Sequence, residues 1–219
     1  MQIIEQSWSF ESDVDGIAML EKIEKAGRTC YKSEGNITVT STAKFCGALI
    51  RSGHHSVLEH ESVSVRIVTN RGVSHEIVRH RLASYSQEST RYCNYKDVMG
   101  FIRPVWWSEM SPLQQKHWIL GRERNEQEYL EDLKSGLRPE QARDCLPNAL
   151  KTEIVMTCNI REWRHFFSLR CSKKAHPQMR ALALDMLATF YTDIPILFDD
   201  IAIEYLDANF VSRVQGRTA

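Results

Sequence analysis

Two stretches of this sequence concentrate side chains that can do chemistry. Between residues 54 and 92 stand His54, His55, Glu59, His60, His75, Glu76, Arg79, His80, Arg81, Ser84, Ser86, Ser89, Arg91 and Tyr92, with five of the chain's eight histidines among them. One chemistry to consider is a bound metal. His75-Glu76-Ile77-Val78-Arg79-His80 is one residue longer than the H-E-x-x-H pattern of zinc proteases. Five helical residues turn by about 500°, which leaves the two rings about 140° apart, so one ion cannot take both. No metal is expected. The other chemistry is anion binding. Arg79, His80 and Arg81, followed by Ser84, Ser86, Gln87, Ser89 and Arg91, supply cationic and hydroxyl donors that can wrap a phosphate. The plainer alternative is a polar surface helix and its loop. Against it, Val73, Ile77, His80 and Ser84 share one helical face, so polar groups point where apolar ones do.

The second stretch is 143–180. Asn159-Ile160-Arg161-Glu162-Trp163-Arg164-His165-Phe166-Phe167-Ser168-Leu169-Arg170 reads as a helix with Trp163, Phe166 and Phe167 as its apolar stripe. Arg170 falls seven after Trp163 and three after Phe167, inside that stripe. A guanidinium keeps its charge, and burying it unpaired is costly. It must meet an internal carboxylate or a ligand, unless it only bonds the carbonyls at its helix end. Arg161 and His165, four apart, lie together on another face.

These residues need elements to hold them. A short strand is expected near Ile3. Ser12 or Asp13 caps a helix running to Ala26 and stopped by Gly27, and Ser41 caps another ending at Gly53. Val63, Val65 and Ile67 alternate with polar residues, the period of a half-buried strand. Helix is expected from Val73 to Ala83, with the serines beyond it on a loop. Ser111-Pro112 opens a long polar helix ending near Gly136, and Pro139 a short one. Ile154 to Met156 suggests a strand. Asn159 caps the helix towards Arg170, and two more fill 176–191 and 196–208. Few strands separated by helices give an α+β fold: one domain over 1–219, with a small, mostly antiparallel sheet flanked by helices.

Composition bounds the possibilities. The chain has 219 residues, with 28 Lys plus Arg against 28 Asp plus Glu, for a net charge of +0. That argues against a protein that coats nucleic acid or an anionic membrane. The zero is unevenly built. Residues 51–91 sum to +2 and 143–180 to +5, against −4 over 181–219. No Lys lies between Lys44 and Lys96, and Arg without Lys suits planar, bidentate contact with phosphate or carboxylate. The six cysteines, at 30, 46, 93, 145, 158 and 171, form no C-x-x-C pair. With no signal peptide or membrane-length apolar run, reduced thiols and a cytoplasmic location are expected. G-x-S-x-G, G-x-x-x-x-G-K and G-x-G-x-x-G are all absent.

Arg79-His80-Arg81, seven residues and then Ser89 resemble the R-H-R-x7-S signature of the flavin-dependent thymidylate synthases. Around it, Arg28-Thr29-Cys30-Tyr31, His54 to His60, Gly72 to Glu76 and Ser89-Thr90-Arg91-Tyr92 are similar to segments of that family. Downstream, Gln141-Ala142-Arg143, Leu146-Pro147 and Leu169-Arg170 with Ala175 also fit. The resemblance spans about residues 25 to 190. It implies reductive methylation of dUMP to dTMP, with carbon from methylenetetrahydrofolate and reducing equivalents from NADPH through bound FAD. It also implies a homotetramer with active sites where subunits meet, and no enzyme nucleophile on the base.

By the same resemblance, Ser56, Arg79, His80, Arg81, Gln87, Asn159, Arg161 and His165 would contact FAD. Glu76, Arg79, Gln87, Glu88, Ser89, Thr90, Arg91, Arg143 and Arg170 would hold dUMP. Arg170 would be the catalytic group, beside the uracil and favouring its ionised ring nitrogen. The sequence departs from the pattern at Gln87, where many members carry Glu, and at His165, where some carry Asn. Ala175 to Arg180 replaces a more usual A-Q-x-E-I. A different class of function uses the same Arg/Ser loop: a nucleotide- or RNA-binding module without catalysis. Uptake of FAD distinguishes the two.

Overall fold

The structure, a computed structural model, describes residues 1–38 and 40–218. Six strands lie among the described residues: β1 Gln2–Ile4, β2 Ser7–Phe10, β3 Ser62–Asn70, β4 Ala83–Gln87, β5 Gly100–Ile102 and β6 Lys151–Asn159. The α-helices are α1 Gly16–Thr29, α2 Ser41–Arg51, α3 Arg71–Ile77, α4 Pro112–Lys134, α5 Pro139–Ala142, α6 Ile160–Arg170, α7 Pro177–Asp193, α8 Pro195–Tyr205 and α9 Ala208–Thr218. The fold is α+β with a small, mostly antiparallel sheet. Four strands pair in the order β2-β3-β6-β4; β1 and β5 form a separate parallel pair with Ile3 opposite Phe101.

Contacts divide the chain into two compact units, each drawn from three segments. The first comprises 1–9, 66–79 and 85–156; the second comprises 10–65, 80–84 and 157–219. In the first, Met99, Phe101, Tyr129, Ala142 and Leu150 form a buried cluster against which Tyr95, Trp118 and Leu146 pack. Helix α4 begins as the sequence predicts. Ser111 Oγ accepts from the Gln114 N–H, Gln114 Oε1 accepts from the Ser111 N–H, and Pro112 needs no donor partner. It ends where Gly136 takes φ of +98°, a left-handed turn that a side chain would strain.

In the second unit the stripe of α6 becomes the core. Trp163 stacks on Phe167 at 5.8 Å between centroids, and Phe167 meets Phe190 of α7 at 5.1 Å and Phe198 of α8 at 5.7 Å. All four rings are fully buried. Burying each contributes roughly 1.5–3 kcal/mol, and truncating one to Ala costs about 3–5 kcal/mol because the cavity does not collapse. The Trp163 indole N–H donates to the Val63 carbonyl at 3.1 Å, so the ring is buried with its polar atom satisfied.

Several boundaries differ from the sequence reading. Helix α1 is capped by Asp15, which accepts from the N–H groups of Ile17 and Ala18, and it runs through Gly27 to Thr29. Gly27 is not a stop: a Cβ there would meet the Phe45 ring at 2.7 Å, so the glycine lets α2 approach. Helix α3 ends at Ile77 rather than near Ala83. Val78 caps it, and Arg79, His80 and Arg81 then follow in a row. Of the serines expected on a loop, Ser84 and Ser86 belong to β4, whose Ala83, Tyr85 and Gln87 are half-buried while those two serines are exposed; Ser89 lies beyond the strand, as expected. The helix expected at 196–208 is α8, which ends at Tyr205; a further helix that the sequence reading does not include, α9, starts after Asp207, whose carboxylate accepts from Asn209 and Phe210.

Candidate functional site

The predicted site residues fall into two groups, one in each unit. In the first unit, β4 delivers Gln87, and residues 88–91 follow it. Gln87 Nε2 donates to Ser74 Oγ at 2.9 Å and to Thr152 Oγ1 at 3.0 Å. The Glu88 N–H donates to the Glu153 carbonyl at 2.8 Å, which ties the segment to β6. The Glu88 carboxylate accepts from Lys151 Nζ and from the Tyr95 hydroxyl, each at 2.8 Å. Burial and that carboxylate push the Tyr95 phenol up. Burial opposes the charge on Lys151, but Glu88 and Glu153 outweigh it and raise its pKa.

Around this segment the cations converge. Arg71 Nη1 reaches the Glu88 carbonyl at 3.5 Å, and Arg143 Nη1 reaches Thr90 Oγ1 at 3.5 Å. Arg91 pairs with Glu140 at 3.0 Å, and its N–H donates to Ser89 Oγ at 3.2 Å. Glu76 lies half-buried on α3, and Arg79 is exposed just beyond the helix. Three guanidinium groups and two hydroxyls thus gather about one turn, the donor types that a phosphate needs.

In the second unit α6 organises the groups. Asn159 caps it by accepting from the Glu162 N–H at 2.9 Å. Arg161 and His165 line a cavity of about 640 Å³ with His55, Glu59, Leu82 and Asn159. Arg161 Nη1 holds Glu59 at 2.6 Å. Ser56 and Arg81 are exposed and do not line this cavity. On the buried side, His80 Nδ1 lies 2.8 Å from Glu162 Oε1, and Arg170 Nε donates to His80 Nε2 at 3.1 Å. His80 is 4% exposed and Glu162 6%. Burial lowers the His80 pKa; the Glu162 bond pulls upward, and the neighbouring Arg170 and His165 push it further down.

Arg170 therefore bonds an imidazole that an internal carboxylate orients, rather than bonding that carboxylate directly, as one branch of the sequence reading expects. His80 is buried as the sequence expects, but not on the face of Val73 and Ile77, because α3 ends before it. His75 is exposed and His80 lies beyond the helix, so the helical spacing used against a shared zinc does not apply. Among the described residues, His80, Glu162 and His165 bring ligand atoms within 4.8 Å of one another. Both ring nitrogens of His80 already have protein partners, which leaves no vacant lone pair for an ion.

Sequence reasoning missed Lys151, Tyr95 and Arg71 in the first group and Glu162 in the second. For Glu162 a signal existed: it stands four before Phe166, so a carboxylate lies on the buried face. Among the cysteines, burial pushes Cys46 and Cys171 up to about 12 and Cys145 to about 11, far from a nucleophilic thiolate.

A family model described as "Thymidylate synthase complementing protein" matches residues 17–196. The flavin-dependent thymidylate synthase of Geobacter sulfurreducens is 37% identical over 184 residues, covering 80% of this chain and 78% of that protein. The one from Mycolicibacterium gilvum is 37% identical over 217 residues, covering 91% and 84%. The one from Mycobacterium tuberculosis strain H37Ra is 35% identical over 211 residues, covering 89% and 84%. Among solved structures, the UMP/dUMP methylase PolB from Streptomyces cacaoi bound with 5-Br dUMP superposes with a TM-score of 0.77. It covers 94% of this chain and 98% of its own at 22% identity, a likeness of fold.

Proposed function

This chain belongs to the flavin-dependent thymidylate synthase family, and on that premise we propose that it methylates dUMP to dTMP, with methylenetetrahydrofolate as carbon donor and NADPH as reductant. It is an enzyme, a methyltransferase of that family. The observation that carries the reading is the match over residues 17–196, which contains every candidate site residue from Ser56 to Arg170. The chain passes repeatedly between its two units, so no cut yields either as a continuous segment. That supports treating 1–219 as one functional domain.

Of the residues assigned to FAD, Asn159, Arg161 and His165 line one cavity, and their chemistry supports a flavin dinucleotide there. The cavity in the second unit, about 640 Å³, has the size of a ligand site. It combines the Arg161 and His165 donors and the Asn159 amide with the apolar Leu82. Bound FAD supplies reducing equivalents. Ser56, Arg79, His80, Arg81, Gln87, Asn159, Arg161 and His165 are assigned to holding it. Arg91, Arg143, Ser89 and Thr90 hold the phosphate and sugar of dUMP, with Glu76, Arg79, Gln87 and Glu88. Arg170 presents a fixed positive charge where the uracil ring gathers negative charge. A cation aligned in advance need not reorganise during the reaction, so it acts more strongly than one recruited from solvent. The active form is a homotetramer located in the cytoplasm. No described helix is long and apolar enough to cross a membrane.

The test is dTMP formation by the purified protein with dUMP, methylenetetrahydrofolate, NADPH and FAD. The protein takes up FAD and turns yellow, the colour bleaches on adding NADPH, and dTMP accumulates. Arg170→Ala abolishes turnover while its circular dichroism stays that of the wild type. A protein that takes up no FAD, or an Arg170→Ala enzyme with undiminished turnover, overturns the reading or this assignment respectively.

A further inference from the structure

We propose that Glu162 is a positioning residue that acts through His80 to hold the Arg170 guanidinium in place. The inference rests on the reading of Arg170 as the group beside the uracil.

The argument starts from donors and acceptors. Every polar hydrogen-bonding atom of an arginine side chain is a donor. The Arg170 Nε–H bond to His80 Nε2, at 3.1 Å, therefore makes Nε2 an acceptor carrying no proton. A neutral imidazole then has its proton on Nδ1, the atom 2.8 Å from Glu162 Oε1. Nδ1–H donates to the carboxylate. Of the two neutral tautomers, only this one satisfies both bonds of the chain Glu162, His80, Arg170. The other tautomer points two N–H groups at each other and leaves the carboxylate without its donor.

Each member is fixed by something other than the next. The first turn of α6 holds Glu162, whose N–H is bonded to Asn159 at 2.9 Å. The Phe166 ring lies 5.0 Å from that of His80 and restricts its tilt. His80 and Glu162 are both nearly excluded from water, so solvent competes poorly for either bond. Arg170 is the last residue of its helix, a place where a long side chain has most freedom. The bond to the imidazole restrains it at Nε, the root of the fork. Choosing a histidine's tautomer through the bond at its other nitrogen is an established way for a carboxylate to control a catalytic ring. Here the controlled group is the arginine beyond it.

The test compares Glu162→Ala and Glu162→Gln with the wild type, using protein labelled with 15N in histidine. The nitrogen shifts of His80, assigned by its loss in His80→Asn, report the tautomer without any substrate. Wild type shows the Nδ1–H tautomer, and Glu162→Ala shifts it towards Nε2–H. Glu162→Gln keeps a carbonyl acceptor at the same place and retains Nδ1–H. In turnover, kcat falls about 10- to 100-fold in Glu162→Ala, the usual cost of losing a residue that orients a functional group, and recovers most of its value in Glu162→Gln. Isosteric Gln keeps the fold comparable should Ala destabilise it. An Nε2–H tautomer in the wild type, or an unchanged kcat in Glu162→Ala, overturns the proposal. A wild type with the expected tautomer but no dTMP product overturns the functional reading instead.

Discussion

Ser89 closes the signature, yet its surroundings are not those of an activated nucleophile. Its Oγ already accepts from the Arg91 N–H at 3.2 Å, and no general base is bonded to it among the described residues. A nucleophile would need such a base to be activated. Ser89→Ala therefore raises KM for dUMP about tenfold, the loss of one hydrogen bond to a charged group, and leaves kcat nearly unchanged. Steady-state kinetics measure the split, and a covalent Ser89–dUMP adduct by mass spectrometry would sink this view of the residue. The same scale shows what sequence can carry. That Arg170 needed an internal carboxylate or a ligand, unless it bonded its helix-end carbonyls, followed from its place in an aromatic stripe. That the partner would be His80, 90 residues away, did not follow, because α3 ends before His80 and the chain's return to α6 is tertiary information. Lys151 and Tyr95 clasp Glu88 for the same kind of reason, and no local pattern marks them.

Helices were legible where their ends carry chemistry. Helix α4 is polar along its length, so its pattern alone argues weakly for a helix, but the Ser111–Gln114 capping box and Gly136 define both ends. The cap satisfies N–H groups that otherwise have no partner in the helix. Ser111→Ala lowers stability by about 1 kcal/mol in urea unfolding and leaves kcat for dTMP formation unchanged, since no site residue depends on it. A loss of activity equal to the loss of stability would contradict that separation. Asn159 was equally readable as the cap of α6. Strand β4 was not, although Ala83-Ser84-Tyr85-Ser86-Gln87 alternates in the required period. Serine suits an outward strand position and a loop alike, and the helical reading of 73–83 had already absorbed its start. Strands β2 and β5, of four and three residues, are too short to carry a periodic signal.

For the whole molecule, a net charge of zero argued against a polyanion-coating protein, and the basic stretches suggested anion sites. Only part of that local surplus is met by carboxylates outside the basic stretches, Arg91 by Glu140 and Arg164 by Asp200; Arg66 with Glu153 and Arg161 with Glu59 pair within them, and the sequence could reveal none of these partners. Those pairings set the response to acid. Burial tends to raise the Glu24 carboxyl, but bonds from Arg28 at 2.8 Å, Ser41 at 3.0 Å and Thr42 at 2.8 Å outweigh it and hold its pKa below the ordinary range. Glu153 is held low chiefly by Arg66, and Asp200 by Arg164 against its burial. A carboxyl lowered by folding contributes stability above its unfolded pKa, about 4, and loses it as the pH falls through the folded value. His80, also lowered, is neutral when folded, so stability starts to fall once the unfolded imidazole protonates below about 6.5. Asp193 and Asp199, raised by burial, work in the opposite sense and offset part of the acid loss. The contribution of one carboxyl is isolated by Glu24→Gln, which keeps the shape and one acceptor but cannot ionise. Urea midpoints measured from pH 7 to pH 3 should show the wild type ahead by a constant margin down to about pH 5. The margin then shrinks towards pH 3 as Glu24 is forced to take a proton. A margin that stays constant over the whole range would mean that the ionised form of Glu24 contributes nothing to the fold.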